Sequence, residues 1–246
     1  MGLIHGFDPF KILKAALANG GEYADIYLED TANTSIVAEE NRIEKIITGR
    51  DRGAGVRVIA NLKTYYAYTN DITEKGLLEV ASAVASGVKG SHSGSSIGLL
   101  KKQVAPGFDI KELPHKAVLK DKVSLVNRAN STAWAFDKRV RQARVMYGDA
   151  FRKITLVNSL GDFVEEDRCA LLLVCNVVSA EGDSIQTGYE PLGGIMGLEA
   201  FQETTPESIA ETAARRAIMM LSARRAPGGK MPVVLSSDAG GTMIHE

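Results

Sequence analysis

The chain has 246 residues, of which 45% are hydrophobic and 24% charged, with 29 basic and 30 acidic side chains. This length suits one large domain or two of ordinary size, and the composition is that of a globular protein. The even charge balance argues against a strongly basic module that binds nucleic acid. No stretch approaches the ~20 apolar residues of a membrane span, and the N-terminus lacks the pattern of a signal peptide. We therefore expect a cytoplasmic protein without direct nucleic-acid or membrane partners.

Hydrophobic periodicity in the first 90 residues predicts an α+β unit. Asp8-Pro9 is typical of a helix start, and Asn19–Gly21 is typical of a helix end. A capping box at Asp71–Glu74 predicts a second helix. The two helices can cover one face of an antiparallel sheet built from the segments between them. Four or five strand-like segments lie there: Tyr23–Glu29, Thr34–Glu40, Arg42–Thr48, Ala54–Ala60 and Thr64–Thr69.

The next stretch, over residues 91–115, is predicted to be a loop or linker. Serine and glycine are frequent from residue 86 to residue 98, with little that could be buried. His92 and His115 lie in this region without a second candidate ligand nearby. We interpret both as solvated loop histidines, because isolated histidines seldom bind a metal.

Residues 116–246 are predicted to form a helix followed by the start of a mainly β second domain. The apolar spacing over Lys116–Ala135 is helical. The apolar run Arg168–Ser179 predicts a central strand buried on both faces, with Cys169 and Cys175 as buried free thiols. Thr205-Pro206 opens a further helix. The remaining strand predictions are Lys138–Tyr147, Arg152–Asn158, Asp183–Tyr189 and Met231–Ser236.

One acidic cluster, Glu165-Glu166-Asp167, could bind a divalent cation. No ladder of further oxygen ligands follows it along the chain, as calcium loops require. We therefore interpret this cluster as a solvated strand end.

The residues that could carry chemistry are the last two, His245 and Glu246. The polar turn Ser236–Gly241 precedes them and would place His245 on the first turns of a new helix. In zinc peptidases with a His-Glu pair, the His ligates the metal and the Glu takes a proton from the metal-bound water. Zinc needs about three protein ligands, and no other His or Cys has a spacing that nominates it. The pair is therefore either half of a metal site or a charged chain end without one.

The order of segments resembles the TldD/PmbA family. Gly21–Glu29, Asn41–Glu44 and Arg52–Val58 resemble the N-terminal domain of that family. Ala239–Glu246 resembles the beginning of the family motif His-Glu-x-x-x-His. Family members were first described as modulators of DNA gyrase and are now regarded as zinc metallopeptidases. The presence of the His-Glu pair points to the TldD-like subunit.

The resemblance implies the roles of the site residues and the partners. His245 would be the first zinc ligand and Glu246 the general base, while no residue is nominated for substrate binding. The second His and a Cys ligand would lie beyond residue 246, so we expect this chain alone to hold zinc poorly and to be inactive. The expected substrates are unfolded peptides or modified peptide precursors. The expected assembly is a heterodimer with a TldE/PmbA-like subunit, or a homodimer.

An alternative function is that of a non-catalytic peptide-binding subunit or module. Its sheet would capture extended peptides by edge pairing without cutting them. The absence of a complete set of metal ligands from the sequence favours this alternative, whereas the His-Glu ending favours the peptidase.

Overall fold

A computed structural model describes residues 3–4, 6–89, 100–103 and 110–245 of the chain. Six α-helices and seven β-strands lie within these residues, with a short 3-10 helix at Pro114–Lys116. The helices are α1 (Pro9–Ala16), α2 (Glu74–Gly87), α3 (Leu119–Ala135), α4 (Ala200–Glu203), α5 (Pro206–Met220) and α6 (Ser237–His245). The strands are β1 (Tyr23–Glu39), β2 (Arg42–Ala60), β3 (Lys63–Thr69), β4 (Leu100–Gln103), β5 (Val140–Asn158), β6 (Asp162–Glu181) and β7 (Ser184–Gly194).

The seven strands form one sheet in the order β3-β2-β1-β5-β6, with β4 and β7 both pairing with β6. All neighbours are antiparallel except β4, which is parallel to β6. This architecture confirms the predicted α+β class with an antiparallel sheet flanked by helices. The division into residues 1–90, 91–115 and 116–246 stays a prediction, and β5 of the last part pairs directly with β1 of the first.

Two hydrophobic clusters hold the helices on the sheet. Ile26 and Leu28 of β1 belong to the cluster under α1 and α2, whereas Ile36 of the same strand belongs to the cluster under α3 and α5. Side chains an even number of residues apart point to the same side of a strand. The two pairs of helices therefore cover the same face of the sheet, at opposite ends of its long strands.

A band rich in polar residues and glycines crosses the sheet between these two ends. It consists of Gly49–Gly53 of β2, Asp30–Asn33 of β1 and Gly148–Lys153 of β5, which the register places side by side. We call these residues the polar band. They interrupt the apolar pattern along each strand without ending the strand.

The polar band explains where the strand predictions were wrong. The structure joins the predicted strands Tyr23–Glu29 and Thr34–Glu40 in β1, which ends at Glu39. It joins Lys138–Tyr147 and Arg152–Asn158 in β5, which begins at Val140. The residues predicted to separate two strands are polar stretches of one continuous strand, and their backbone pairs with the neighbouring strands. The prediction that Arg168–Ser179 is buried on both faces was also wrong. In β6, Leu171, Leu173 and other odd-numbered residues are buried, whereas Ala170 and Asn176 on the other face are exposed.

The helix predictions are more accurate than the strand predictions, because the apolar residues of a long helix recur at regular spacing over many residues. Helix α3 is confirmed within the predicted range, and α5 begins at Pro206 with Thr205 as its cap, where the Thr205 hydroxyl accepts from the Ser208 N–H. Among the helices that the structure describes, none is long and apolar enough to cross a membrane.

Candidate functional site

The C-terminal segment that carries the predicted site residues lies apart from the sheet. After α5, residues 222–236 are exposed and form no regular element. The predicted strand Met231–Ser236 is not formed, because none of the described strands lies beside it to supply backbone hydrogen bonds. Helix α6 then begins at Ser237, with the Gly240 N–H donating to the Ser236 carbonyl at 2.7 Å.

His245 is the last residue of α6, not a residue of its first turns. The helix starts earlier than predicted, because the Ala239-Gly240-Gly241 stretch is helical. His245 is exposed, and Glu246 lies outside the described residues. Within the described parts of the chain, no group of three or more His, Cys, Asp or Glu side chains could hold a metal ion. The structure therefore places one imidazole at the site and gives it no described companion ligand.

His115 differs from its prediction as a solvated loop residue. Its ring stacks on Phe151 with the centroids 3.7 Å apart, and its Nδ1 atom is buried without a hydrogen-bond partner among the described residues. Burial lowers the pKa of His115, and the neighbouring Lys116 and Lys153 lower it further. The imidazole thus packs against the central strand β5, so His115 serves packing. His92 lies outside the described residues.

The two cysteines are buried and free, as predicted. Burial raises the pKa of Cys169, and it raises the pKa of Cys175 to about 12. Since the thiolate is the reactive and metal-binding form, neither cysteine is suited to nucleophilic chemistry at neutral pH.

The acidic cluster at residues 165–167 is part of β6 and not a free strand end. Glu166 accepts two hydrogen bonds from Arg168, and Asp167 accepts one from Lys153 at 3.4 Å. These carboxylates are held by cations of the chain itself.

One buried ion pair was not predicted from the sequence. Lys122 of α3 donates to Asp149 of β5 at 2.6 Å and to the Thr34 hydroxyl at 3.0 Å. The Tyr147 hydroxyl donates to the same Asp149 oxygen at 2.7 Å. Burial and the bond to Asp149 raise the pKa of Tyr147. The group fixes α3 to the polar band, and it is closed to substrate because Lys122 and Asp149 are almost fully buried.

An open groove of about 610 Å³ lies on the opposite face of the sheet, at the end of β3. Gly53 and Gly55 form its floor, and Tyr66 and Tyr68 flank it with ring centroids 6.3 Å apart. A Cβ atom at Gly55 would lie 2.5 Å from the Tyr66 hydroxyl, so the ring rests directly on the glycine. The floor of the groove carries no side chains because these two positions of β2 are glycines.

Glu29 lines this groove but is already engaged. It accepts from the Tyr27 hydroxyl at 2.6 Å and from the Thr31 hydroxyl at 2.7 Å, and Arg152 lies 3.2 Å away. Burial opposes ionisation of Glu29, but these partners outweigh it and lower its pKa. Burial and the bond to Glu29 raise the pKa of Tyr27 to about 12. Neither group is poised to exchange a proton near neutral pH.

Comparison with known proteins decides the family. Residues 24–87 match PmbA/TldA metallopeptidase domain 1, and residues 112–221 match the PmbA/TldA metallopeptidase central domain. The chain belongs to the PmbA/TldD family. The matched stretches include β1 to α2 and α3 to α5, so the family assignment rests on the sheet and its helices. It does not rest on the C-terminal segment that carries His245.

Relatives of this PmbA/TldD chain are named metalloproteases. A metalloprotease TldD homolog of Haemophilus influenzae is 30% identical over 234 residues, which covers 92% of this chain and 48% of that protein. A metalloprotease of Methanothermobacter thermautotrophicus is 25% identical over 227 residues, with 92% and 49% covered. The chain spans about half the length of these relatives.

Solved structures share the fold. A Thermotoga maritima protein named as a modulator of a DNA gyrase has a TM-score of 0.71 at 20% identity, covering 90% of this chain and 49% of that one. The TldE protein of Thermococcus kodakarensis has a TM-score of 0.63 at 14% identity, covering 85% and 47%. At these identities the likeness shows the arrangement of sheet and helices alone.

The names of the relatives imply a metal, and the described residues do not by themselves fit one. His245 offers one nitrogen, whereas a zinc site takes about three protein ligands. The cysteines are buried within β6, and His115 is partly buried with its ring stacked on Phe151. No catalytic step through a metal follows from the described residues.

Proposed function

We propose that this chain is the N-terminal part of a TldD-like zinc-dependent peptidase that cleaves unfolded peptides or modified peptide precursors. The observation that carries the proposal is the family membership together with the His-Glu pair of the sequence, whose His245 is the last residue of α6. The metalloprotease names of the relatives support the reaction class.

In this proposal His245 supplies the first ligand nitrogen and Glu246 acts as the general base that accepts a proton from the attacking water. The other ligands come from residues that follow position 246 in a complete protein. The 246-residue chain alone is then an incomplete site and is inactive. The exposed position of α6 leaves it accessible to such residues.

The proposed assembly joins this chain to a TldE/PmbA-like partner subunit or to a second copy. The structural likeness to a TldE protein supports an assembly of that kind. The proposed location is the cytoplasm.

The test uses the complete gene product, purified with its partner subunit and loaded with zinc. Cleavage of an unstructured peptide is followed by mass spectrometry, and bound zinc is measured by elemental analysis. Glu246→Gln is expected to retain zinc and to lose cleavage by about 10²–10⁴-fold, since a general base contributes that much. His245→Ala is expected to lose zinc and cleavage together. Glu211→Gln, at an exposed glutamate of α5, is the matched control and should change neither.

Two results would contradict the proposal. The first is a zinc-loaded complete protein that cleaves none of a set of unstructured peptides. The second is cleavage that survives Glu246→Gln. Peptide binding that persists in a chelator and in Glu246→Gln, without cleavage, would instead support the non-catalytic peptide-binding module.

A further inference from the structure

One long strand of the sheet has an open edge. β2 pairs with β1 from Arg42 to Ala60, but β3 covers its other side only from Ala54 to Ala60. Among the described residues, no strand pairs with the preceding part of that side. A β-bulge at Glu44 bounds the open part, because Val37 lies opposite Lys45 while Ala38 lies opposite Ile43. The regular open edge therefore runs from Lys45 to Gly53.

This edge has some of the features that protect natural sheets from further pairing and lacks others. Exposed edges are usually shortened, covered, charged, bulged or interrupted by proline, because their free N–H and C=O groups attract another strand. Charged side chains and the bulge are present here, but no described strand covers the edge. The segment contains no proline. It also exposes two adjacent isoleucines, Ile46 at 43% and Ile47 at 45%. Exposed apolar side chains beside unpaired backbone groups are typical of a surface that another strand covers.

The charges along the edge indicate what kind of strand would pair with it. Arg50 and Arg52 are engaged with Asp30 of β1, at 2.5 and 3.9 Å. Lys45 and Asp51 are exposed, and neither forms an ion pair within the described parts of the chain. They lie six residues apart on the same face of β2, so the strand presents one free cation and one free anion on one side.

We propose that two copies of this chain pair through this edge, antiparallel and centred on Thr48. In this register both Lys45 side chains lie opposite Asp51 of the other copy, which gives two ion pairs related by twofold symmetry. Each Ile47 lies over the bare Gly49 of the other copy. A shift by two residues in either direction removes both ion pairs, and a shift by one sets residues of opposite faces against each other. The pairs are Lys45 with Asp51, Ile46 with Arg50, Ile47 with Gly49, and Thr48 with itself.

The length of the open edge fits this register. Continued outwards past the bulge, which takes up one residue, the pairing would bring Asn41 of one copy opposite Ala54 of the other, where Thr69 of β3 already occupies the edge. The shared sheet therefore ends at Ala54, where the pairing of β2 with β3 starts. The turn at Glu40-Asn41 of one copy then lies next to the tyrosine-flanked groove of the other. Arg52, Thr69 and Asn70 line that end of the groove.

The interface develops the second-copy option of the proposed assembly, but it uses neither His245 nor Glu246, so its failure would leave the proposed peptidase chemistry unaffected. It is tested without substrate or metal, by sedimentation velocity of the 246-residue chain over a range of concentrations. The wild type is expected to associate reversibly to a dimer. Lys45→Asp and Asp51→Lys each create two like-charge contacts, and each is expected to raise the dimer dissociation constant about tenfold or more. Combining both exchanges restores opposite charges and is expected to restore the dimer.

Lys120→Asp is the matched control, because Lys120 is exposed on α3, away from the edge. It should leave association unchanged. A wild type that stays monomeric, or a dimer that tolerates both single exchanges, overturns the proposal. Loss of the dimer in the double exchange overturns it as well.

A second measurement fixes the register. Only residues at the twofold centre lie opposite themselves, so Thr48→Cys is expected to form an intermolecular disulfide under mild oxidation, as directly opposite Cβ atoms are about 4.5–5.5 Å apart. Ile46→Cys is the control, since its counterpart is four residues further along the strand. Equal cross-linking of both variants, or cross-linking of neither, contradicts the register centred on Thr48.

Discussion

The inner face of the sheet and the C-terminal segment are held in different ways. On the inner face, four helices bury two clusters of apolar side chains, and a buried ion pair joins α3 to the strands. The C-terminal segment over residues 222–245 is exposed along nearly its whole length. Its helix α6 has nine residues with two glycines, and such a helix is marginal without packing.

This difference separates the part of the chain that defines the family from the part that carries the proposed chemistry. The sheet and helices contain the matched family domains, whereas His245 lies on a helix with exposed apolar residues such as Met243 and Ile244. Exposed apolar clusters are typical of surfaces that another element covers. Under the proposed function, α6 is positioned by contacts made in a complete site, and we expect the sheet to be stable without α6.

Among the changes that test this difference between the two regions, we expect the largest loss of stability at the buried Lys122–Asp149 ion pair. Asp149→Ala leaves Lys122 buried without its partner, which is expected to destabilise the chain by about 3–5 kcal/mol. Lys122→Met should cost a similar amount, and the double variant should cost less than the sum of the two single variants. Urea unfolding followed by circular dichroism measures all three.

Asp167→Ala provides the matched control for this ion pair. Asp167 also lies in the sheet and pairs with a lysine, Lys153 at 3.4 Å, but its side chain is 58% exposed. Exposed pairs contribute about 0–1 kcal/mol, so this variant should change stability little. Equal losses for Asp149→Ala and Asp167→Ala would show that burial is not what makes the Lys122 pair important.

The same ion pair shows what could and could not be predicted from the sequence. Helix periodicity and strand alternation are local, so α3, α5 and most strand segments were predicted correctly. Asp149 follows Gly148 and reads as a turn, because nothing nearby in the sequence reveals Lys122, which lies 27 residues away and closes over it. Polar residues paired across the fold thus appeared as breaks between strands. The roles of His245 and Glu246 were drawn from family resemblance and remain predictions.

A smaller effect is expected from the titration of His115. Burial lowers the pKa of His115 in the folded chain, so the folded state binds its proton less readily than the unfolded state, whose pKa is about 6.5. Stability should therefore be unaffected above that value, should decrease as the pH falls from about 6.5 towards the lowered pKa, and should level off below it. Urea unfolding at several pH values between about 8 and about 5 measures this slope.

His115→Phe is the informative variant, because it keeps a ring against Phe151 and removes the titrating group. Its stability should depend less on pH than that of the wild type over the same range. Identical pH slopes for the two proteins would mean that His115 does not become protonated on unfolding at these pH values.

The smallest effect is expected in the C-terminal segment itself. Ile244→Ala removes an isoleucine side chain from a helix, but Ile244 is 87% exposed, so its loss should change the free energy of unfolding by less than about 0.5 kcal/mol. Ile209→Ala makes the same change in α5, where Ile209 is 1% exposed, and should cost about 2–5 kcal/mol. If urea unfolding shows a substantial loss for Ile244→Ala, α6 packs against the rest of the chain and the two regions are one cooperative unit. If the loss is confined to Ile209→Ala, Ile244 makes no stabilising contact with the rest of the chain, as expected for a helix that lies apart from the sheet.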